Sequence, residues 1–355
     1  MNECRAKERV VAQFPSKEWQ CSVDGLEITA VAISNSMIAV ALKDGVFGIL
    51  SEHGENVKKT KKFENTYVTT MEFLKETDLV IGLKNGNMAI VNLNEWAKPE
   101  IVHQETDESV EIRTIVCNDD GYIAMVQSDT TLRVWKKEEK LIRNLFEKQI
   151  LNPDTQRGFI KMSGTCPMCI NAERILVGFF YDEIYISNSL KETGSVTFEK
   201  ITTSVFQEPN RVHFLYSVTA VTSVWMDEQA SSYIFLYKDV YRAVYFYKEL
   251  NTGNFTTTNI LLRSTNLDFV VHSGENEMTF FFSKSLPSVH AMSFSEQVHY
   301  YDYIFYQRGD PTRFKAAAIR RILPGDQPTA IRYVLGDSNG RIRYYNVKFQ
   351  KVLIN

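Results

Sequence analysis

The sequence predicts an all-β fold, a single seven-bladed β-propeller of four-stranded antiparallel blades that is closed by its terminal strands. Three observations lead to this prediction. A unit of strands and tight turns recurs along the chain, aromatic residues reach 12%, which favours strands, and no segment between the strands combines helical periodicity with caps. The 355 residues are enough for one large closed β-architecture or for two ordinary domains.

The recurring unit is an apolar strand, a polar turn, a second strand, a tight turn containing Asp or Asn, and a third strand. Such turns are typical of hairpins, because Asn-Gly and Asp-Gly can take positive φ at both central positions. The turn residues are Asp44, Asn85, Asp129, Asp182, Asp239 and Asp337. The last interval is about twice the others, which predicts a weak seventh turn at 283–287.

The first strand of each unit gives an independent count. These strands are predicted to begin near Ile28, Val68, Ile112, Gly164, Ala220, Leu267 and Ala316. Fourth strands are predicted at 101–104, 141–146 and 195–200. Four antiparallel strands in each unit of about 40–45 residues indicate a propeller, and 1–355 is predicted to be one domain.

The chain resembles the WD-repeat family over nearly its whole length. Leu132-Arg133-Val134-Trp135 is the nearest match to the Trp-Asp signature, although Lys136 stands where Asp is expected and no Gly-His pair opens a unit. The turn Asp or Asn, kept in six of seven units, is the most family-like feature. The resemblance implies that an N-terminal strand completes the last blade, and 9–14 and 351–354 are suitably placed. It also implies a non-catalytic scaffold in a larger nuclear or cytoplasmic complex.

The composition excludes several other classes of protein. The net charge of −3 provides no global basic field for nucleic acid. The N-terminus has no apolar h-region, and no apolar run is long enough for a membrane span. The five Cys residues are scattered, which favours reduced thiols. We therefore expect a protein that is neither secreted nor transmembrane.

Candidate catalytic and metal-binding residues have simpler structural explanations. Asp in a tight turn bonds its own backbone. Cys166 and Cys169 fall in a predicted strand, where positions three apart point to opposite faces. Nucleophile elbows, phosphate-binding loops and clustered His are missing. The sequence therefore predicts no catalytic residue, metal, cofactor or small-molecule substrate, and a propeller hydrolase is the least favoured alternative.

The basic run Lys58, Lys59, Lys61 and Lys62 is predicted to lie on the outermost strand of the first blade. Lysines on an edge strand prevent pairing with another sheet. The alternative function is a phosphoinositide- or nucleic-acid-binding propeller that uses this run.

A partner-binding surface is predicted on the face that carries the turns between second and third strands and the loops between blades. The long loops at 147–163, 201–219 and 306–315 lie on this face, and long loops often carry function. Tyr and Arg are typical of interface hot spots. The candidate partner-binding residues are Tyr301, Tyr303, Tyr306, Arg308 and Arg313.

Overall fold

The structure is a computed structural model. It describes residues 7–13, 16–21, 25–96, 98–139, 141–150, 168–171, 174–178, 184–191, 195–200, 218–226, 232–239, 243–249, 255–260, 269–273, 278–282, 288–293, 300–304, 314–322 and 330–354. These residues form 29 strands in seven antiparallel sheets. No described residue belongs to a helix, so none lies in a helix that could cross a membrane.

The chain divides into two compact units. The terminal unit comprises Met1–Lys62 and Pro311–Asn355, and the central unit comprises Phe63–Asp310. The all-β fold of antiparallel four-stranded sheets, predicted from the sequence, is confirmed. That the chain forms one domain of seven blades stays a prediction.

The terminal unit contains two sheets. The first has the order β3 (Ile28–Ile33), β4 (Met37–Leu42), β5 (Val46–Ser51) and β6 (Asn56–Lys62). The second contains β27 (Phe314–Ile322), β28 (Ala330–Asp337) and β29 (Arg341–Ile354), together with β1 (Lys7–Gln13) and β2 (Ser16–Gln20) from the N-terminus.

The N-terminal strands complete the second sheet of this unit, as the resemblance implied. β2 pairs with the first part of β29, with Ser16 opposite Tyr345, and β1 pairs with its last part, with Gln13 opposite Lys348. The register is the same in both pairings. β2 was not predicted from the sequence, because Lys17 and Glu18 interrupt any apolar pattern.

The core of the terminal unit joins its two sheets. Ile28 and Val40 of the first sheet pack with Val334 and Ile342 of the second. Gly336 lets the two sheets approach, since a Cβ atom there would lie 2.9 Å from Cβ of Ile28. The absence of a side chain at Gly336 therefore determines how closely β28 packs against β3.

The central unit contains five sheets in sequence order, each formed by four consecutive strands. The first sheet contains β7 (Val68–Leu74), β8 (Asp78–Leu83), β9 (Met88–Asn92) and β10 (Glu100–His103), and the second contains β11 (Ile112–Cys117), β12 (Tyr122–Gln127), β13 (Thr131–Glu138) and β14 (Leu141–Gln149). The third contains β15 (Met168–Ile170), β16 (Ile175–Gly178), β17 (Ile184–Ser187) and β18 (Phe198–Lys200), and the fourth contains β19 (Val218–Met226), β20 (Ser232–Asp239), β21 (Ala243–Glu249) and β22 (Phe255–Ile260). The fifth contains β23 (Phe269–Ser273), β24 (Met278–Phe282), β25 (Ser288–Ser293) and β26 (Tyr300–Ile304).

The first two sheets of the central unit repeat the glycine contact of the terminal unit. A Cβ atom at Gly82 in β8 would lie 2.7 Å from Cγ2 of Ile112 in β11. The Thr69 hydroxyl is 3.1 Å from the carbonyl oxygen of Gly82 and 2.7 Å from that of Ile112. In both units, a glycine near the end of one strand thus packs against the isoleucine at the start of a strand in the neighbouring sheet: Gly82 against Ile112, and Gly336 against Ile28.

The tight turns differ in one respect from the expected geometry. In two of them, Gly45 and Gly86 have φ of 88° and 79°, whereas Asp44 and Asn85 are not at positive φ. The N–H groups of Gly45 and Gly86 donate to the carbonyls of Leu42 and Leu83. A type I turn followed by glycine in the left-handed region accounts for this pattern, so positive φ at both central residues is wrong here.

The predicted long loops lie mostly outside the described residues. The exceptions are 147–150, 218–219 and 314–315, of which Ile150 alone lies outside a strand. The predicted seventh turn at 283–287 also lies outside them, between β24 and β25. Cys169 lies in β15 as predicted, whereas Cys166 lies outside.

Candidate interaction surface

Each sheet places three kinds of connection at one end. In a four-stranded antiparallel meander, the start of the first strand, the turn between the second and third strands, and the end of the fourth strand share an end. We call this the upper end. Loops that join consecutive sheets begin and finish there, so the upper ends carry most of the irregular backbone of each sheet.

Three turn carboxylates at the upper ends accept hydrogen bonds from the backbone of their own turns. The backbone N–H groups of Val46 and Thr131 donate to Oδ1 of Asp44 and Asp129 at 3.1 and 2.9 Å. Those of Asn339 and Arg341 donate to Oδ1 of Asp337 at 2.7 and 2.9 Å. These bonds confirm the prediction for these three turns. Among the described residues, no three His, Cys, Asp or Glu side chains could jointly hold a metal.

A different set of polar residues converges at the upper end of the first two sheets of the central unit. We call it the Glu105 cluster, and its members are His103, Glu105, Gln127, Arg133 and Glu147. Arg133 Nη2 lies 3.0 Å from Glu147 Oε1 and 3.6 Å from Glu105 Oε2. Gln127 Nε2 donates to Glu105 Oε2 at 2.9 Å. His103 Nε2 lies 3.6 Å from the same Glu105 oxygen, so side chains from four strands and one loop share one cluster.

Burial differs sharply across the Glu105 cluster. Gln127 has no exposed surface and Arg133 is 8% exposed, whereas the Glu147 side chain is 49% exposed. Nε and Nη1 of Arg133 and Oε1 of Gln127 are buried and have no hydrogen-bond partner among the described residues. The cluster thus combines a buried base with one carboxylate that solvent or a partner can reach.

Three further contacts fix the orientation of the cluster. Glu105 Oε1 accepts a hydrogen bond from the backbone N–H of Thr106 at 2.9 Å, and Asn87 Oδ1 accepts one from the Glu105 N–H, also at 2.9 Å. The His103 ring lies against Trp135, with ring centroids 5.8 Å apart. These contacts hold the Glu105 carboxylate and the His103 ring in defined positions.

The cluster shifts the pKa values of three of its members. Burial, together with the nearby Arg133 charge, lowers the pKa of His103. Burial acts to raise the pKa of Glu105, but hydrogen bonds from Gln127 and two backbone N–H groups outweigh it, so this pKa is lowered. The hydrogen bond from Arg133 is the main cause of the lowered pKa of Glu147.

These three shifts predict that the protein loses stability as the pH falls. A native state with a lowered His103 pKa favours the neutral ring, so protonation below the unfolded value of 6.5 favours unfolding. The two carboxylates stabilise the native state above their unfolded value of 4.5, and this contribution is lost as the pH falls through their lowered pKa values. Urea midpoints should therefore decrease from pH 7 to 5.5, and further toward pH 4. His103→Gln should flatten the first step, and an unchanged first step would contradict the assignment to His103.

A second ion-pair group lies beside the Glu105 cluster. Glu111 is 6% exposed and its carboxylate pairs with Lys84 and Arg113. Its backbone is tied to the turn at 127–131, since Ser128 N–H donates to the Glu111 carbonyl at 2.8 Å. Lys84 is exposed, so this upper end also presents a cation.

The predicted partner-binding residues are described only in part. Tyr301 and Tyr303 lie in β26, opposite Ala291 and Val289 of β25. Tyr306, Arg308 and Arg313 lie outside the described residues. These five residues stay a prediction as a binding surface.

The predicted basic strip lies on β6, which is the outermost strand of the first sheet as expected. Lys61 is partly buried and Lys62 is exposed. In the pairing with β5, Lys62 is opposite Val46 and Lys58 is opposite Ile49. The edge position suits lysines that block sheet-to-sheet pairing, and contact of Lys58, Lys59, Lys61 and Lys62 with lipid or nucleic acid stays untested.

Comparison with known proteins shows the fold. No protein-family model matches the sequence, and no curated protein matches it. A solved structure described as "Crystal Structure of Mitotic Checkpoint Complex" contains a chain that is 14% identical. The match covers 98% of this chain and 97% of that chain, with a TM-score of 0.66. The chain therefore shares a propeller-type all-β fold with that chain.

Proposed function

We propose that this chain is a non-catalytic protein-interaction scaffold of WD-repeat type, and a subunit of a larger nuclear or cytoplasmic complex. It binds a partner protein through the upper ends of its sheets. The Glu105 cluster carries the proposal, because it fixes exposed charged groups on a rigid base. Rigid display reduces the entropy lost when a partner binds.

Two other observations support this proposal. The structural neighbour belongs to a structure described as a complex, which is the setting that we propose for this chain. The loop at 104–109 also provides a run of exposed polar residues, including Thr106, Asp107 and Glu108. Charged groups at the rim of an interface mainly determine partner choice and association rate.

The proposed surface has a second part in the residues predicted from the sequence. Tyr301, Tyr303, Tyr306, Arg308 and Arg313 follow or lie in the last strand of the fifth central sheet. Tyr and Arg are the residue types that most often anchor a protein interface. We propose that they contact the same partner or a second one.

Affinity purification of the tagged protein from its own cells, with mass spectrometry, tests the proposal. We expect a stoichiometric protein partner that is lost when Thr106→Arg and Glu108→Arg are combined. Asp119→Arg with Asp120→Arg is the matched control, because these exposed residues lie in the turn at the opposite end of β11. A third variant combines Tyr301→Ala, Arg308→Ala and Arg313→Ala.

Each outcome leads to a different conclusion. Loss of the partner in the first variant but not in the control places the interface at the Glu105 cluster. Loss of the partner only in the third variant would indicate that the interface lies at residues 301–313 instead. No stoichiometric partner at all would contradict the scaffold and favour salt-sensitive binding of lipid or nucleic acid through the lysines of β6.

A further inference from the structure

The terminal unit contains a partly open cavity of about 130 Å³. Its lining includes Trp19 of β2 and, from the first sheet, Val40, Leu42, Val46, Phe47 and Leu50. Phe47, Val40 and Leu50 are buried. The cavity is therefore a partly open space between the N-terminal strand and the neighbouring sheet, and slightly more than half of its lining surface is apolar.

The lining carries no charge at neutral pH. None of the residues that form the cavity is acidic or basic. Burial, with a contribution from the charge of Asp337, raises the pKa of Cys21 to about 12, so its thiol stays protonated. A charged ligand would lose its hydration in this space without gaining a counter-charge, and the lining thus selects an uncharged occupant.

The volume defines the size of the occupant. An engineered protein cavity of about 150 Å³, lined by apolar side chains, binds benzene. A space of 130 Å³ therefore holds one aromatic ring or a branched hydrocarbon of similar size. Sulfur next to an aromatic ring is a favourable contact, and Cys21 and Trp19 supply a thiol and an indole face.

We propose that this cavity binds a small, uncharged apolar molecule of the size of one aromatic ring. A polypeptide segment fits less well, because its peptide groups would need hydrogen-bond partners at the mouth. The amide of Gln20 at the mouth already donates to the carbonyl of Asn339 at 2.9 Å. This inference is independent of the proposed scaffold function.

The ligand would also stabilise the N-terminal strand. Cys21 N–H donates to the carbonyl of Gly340 at 2.8 Å, and the Trp19 ring lies 5.9 Å from that of Tyr344. These contacts hold β2 against β29 and so complete the cavity. A ligand that binds only when β2 is docked shifts the equilibrium toward the docked strand by mass action.

Titration with toluene, followed by methyl NMR of the whole chain, tests the proposal. We expect saturable shifts of the methyl resonances of Val40, Leu42, Val46 and Leu50. The backbone amides of β2 should exchange with solvent several-fold more slowly at saturation. Shifts that grow linearly and spread over the core would indicate partition of toluene and overturn the proposal, as would the absence of shifts.

A matched pair of variants locates the site. Thr60 is exposed and lines the cavity, with its Cγ2 lying 3.2 Å from the position of a Cβ at Gly48. Thr60→Phe should obstruct the space and weaken toluene binding at least tenfold. Lys62→Phe, two residues along the same strand face but outside the lining, should leave binding unchanged. Equal affinity in both variants would overturn the proposal, and the wild-type shifts decide it if Thr60→Phe fails to fold.

Discussion

Gly336→Val is expected to lower the free energy of unfolding by about 3 kcal/mol, the upper part of the usual range for an overpacked core. A Cβ atom at Gly336 would overlap Cγ2 of Ile28 and lie 2.9 Å from its Cβ. Ile28 has no exposed surface, and neither does Val334, which neighbours it in the core. Because both sheets are closely packed, β28 and β3 can separate only by opening the core. Urea unfolding measures the loss.

Two further variants separate overpacking from a general intolerance of glycine replacement. Gly48→Ala should change stability little, since its Cβ would meet only the exposed Thr60, at 3.2 Å. Combining Gly336→Val with Ile28→Ala should cost less stability than the sum of the two single losses, because removing the isoleucine side chain makes room for the valine. If the double variant is less stable than the sum of the two single changes predicts, the contact with Ile28 is not the cause.

The fold was predictable because its signals are local and repeated. Turns such as that at Asp44 recur with an alternating strand on each side, so one misread unit does not change the overall pattern. The sequence could not predict β2, whose pairing depends on β29 more than 300 residues further on. It also could not show that Gly82 and Gly336 occupy equivalent contacts, because the partners Ile112 and Ile28 come from other sheets.

The candidate site was far less predictable than the fold. Gln127 and Arg133 stand in otherwise apolar strands, which is a weak sign of a buried polar network. Glu105 is in the loop before this sheet, and Glu147 is on its last strand, at no fixed motif spacing. Only the pairing of the strands brings these four side chains together, whereas the tyrosines and arginines at 301–313 are close together in the sequence itself.

Arg133→Leu is expected to lower the free energy of unfolding by about 2 kcal/mol at pH 7. Removing one partner of a fully buried ion pair costs roughly 3–5 kcal/mol. The cost is smaller here because Glu147 is half exposed and Glu105 keeps its bonds to Gln127 and Thr106. The Glu105 side chain is 14% exposed, so most of the loss comes from a carboxylate without its counter-charge.

This interpretation requires that the loss depends on the charge of Glu105. Adding Glu105→Gln to Arg133→Leu should recover part of the stability, and the difference between wild type and Arg133→Leu should shrink at pH 4. Arg143→Leu is the control, because its partner Glu138 lies 3.9 Å away and both side chains are more than half exposed, so its effect should be near zero. If the loss is the same at pH 7 and pH 4, Arg133 acts through the packing of its aliphatic stem, and the cluster does not hold its carboxylates by charge.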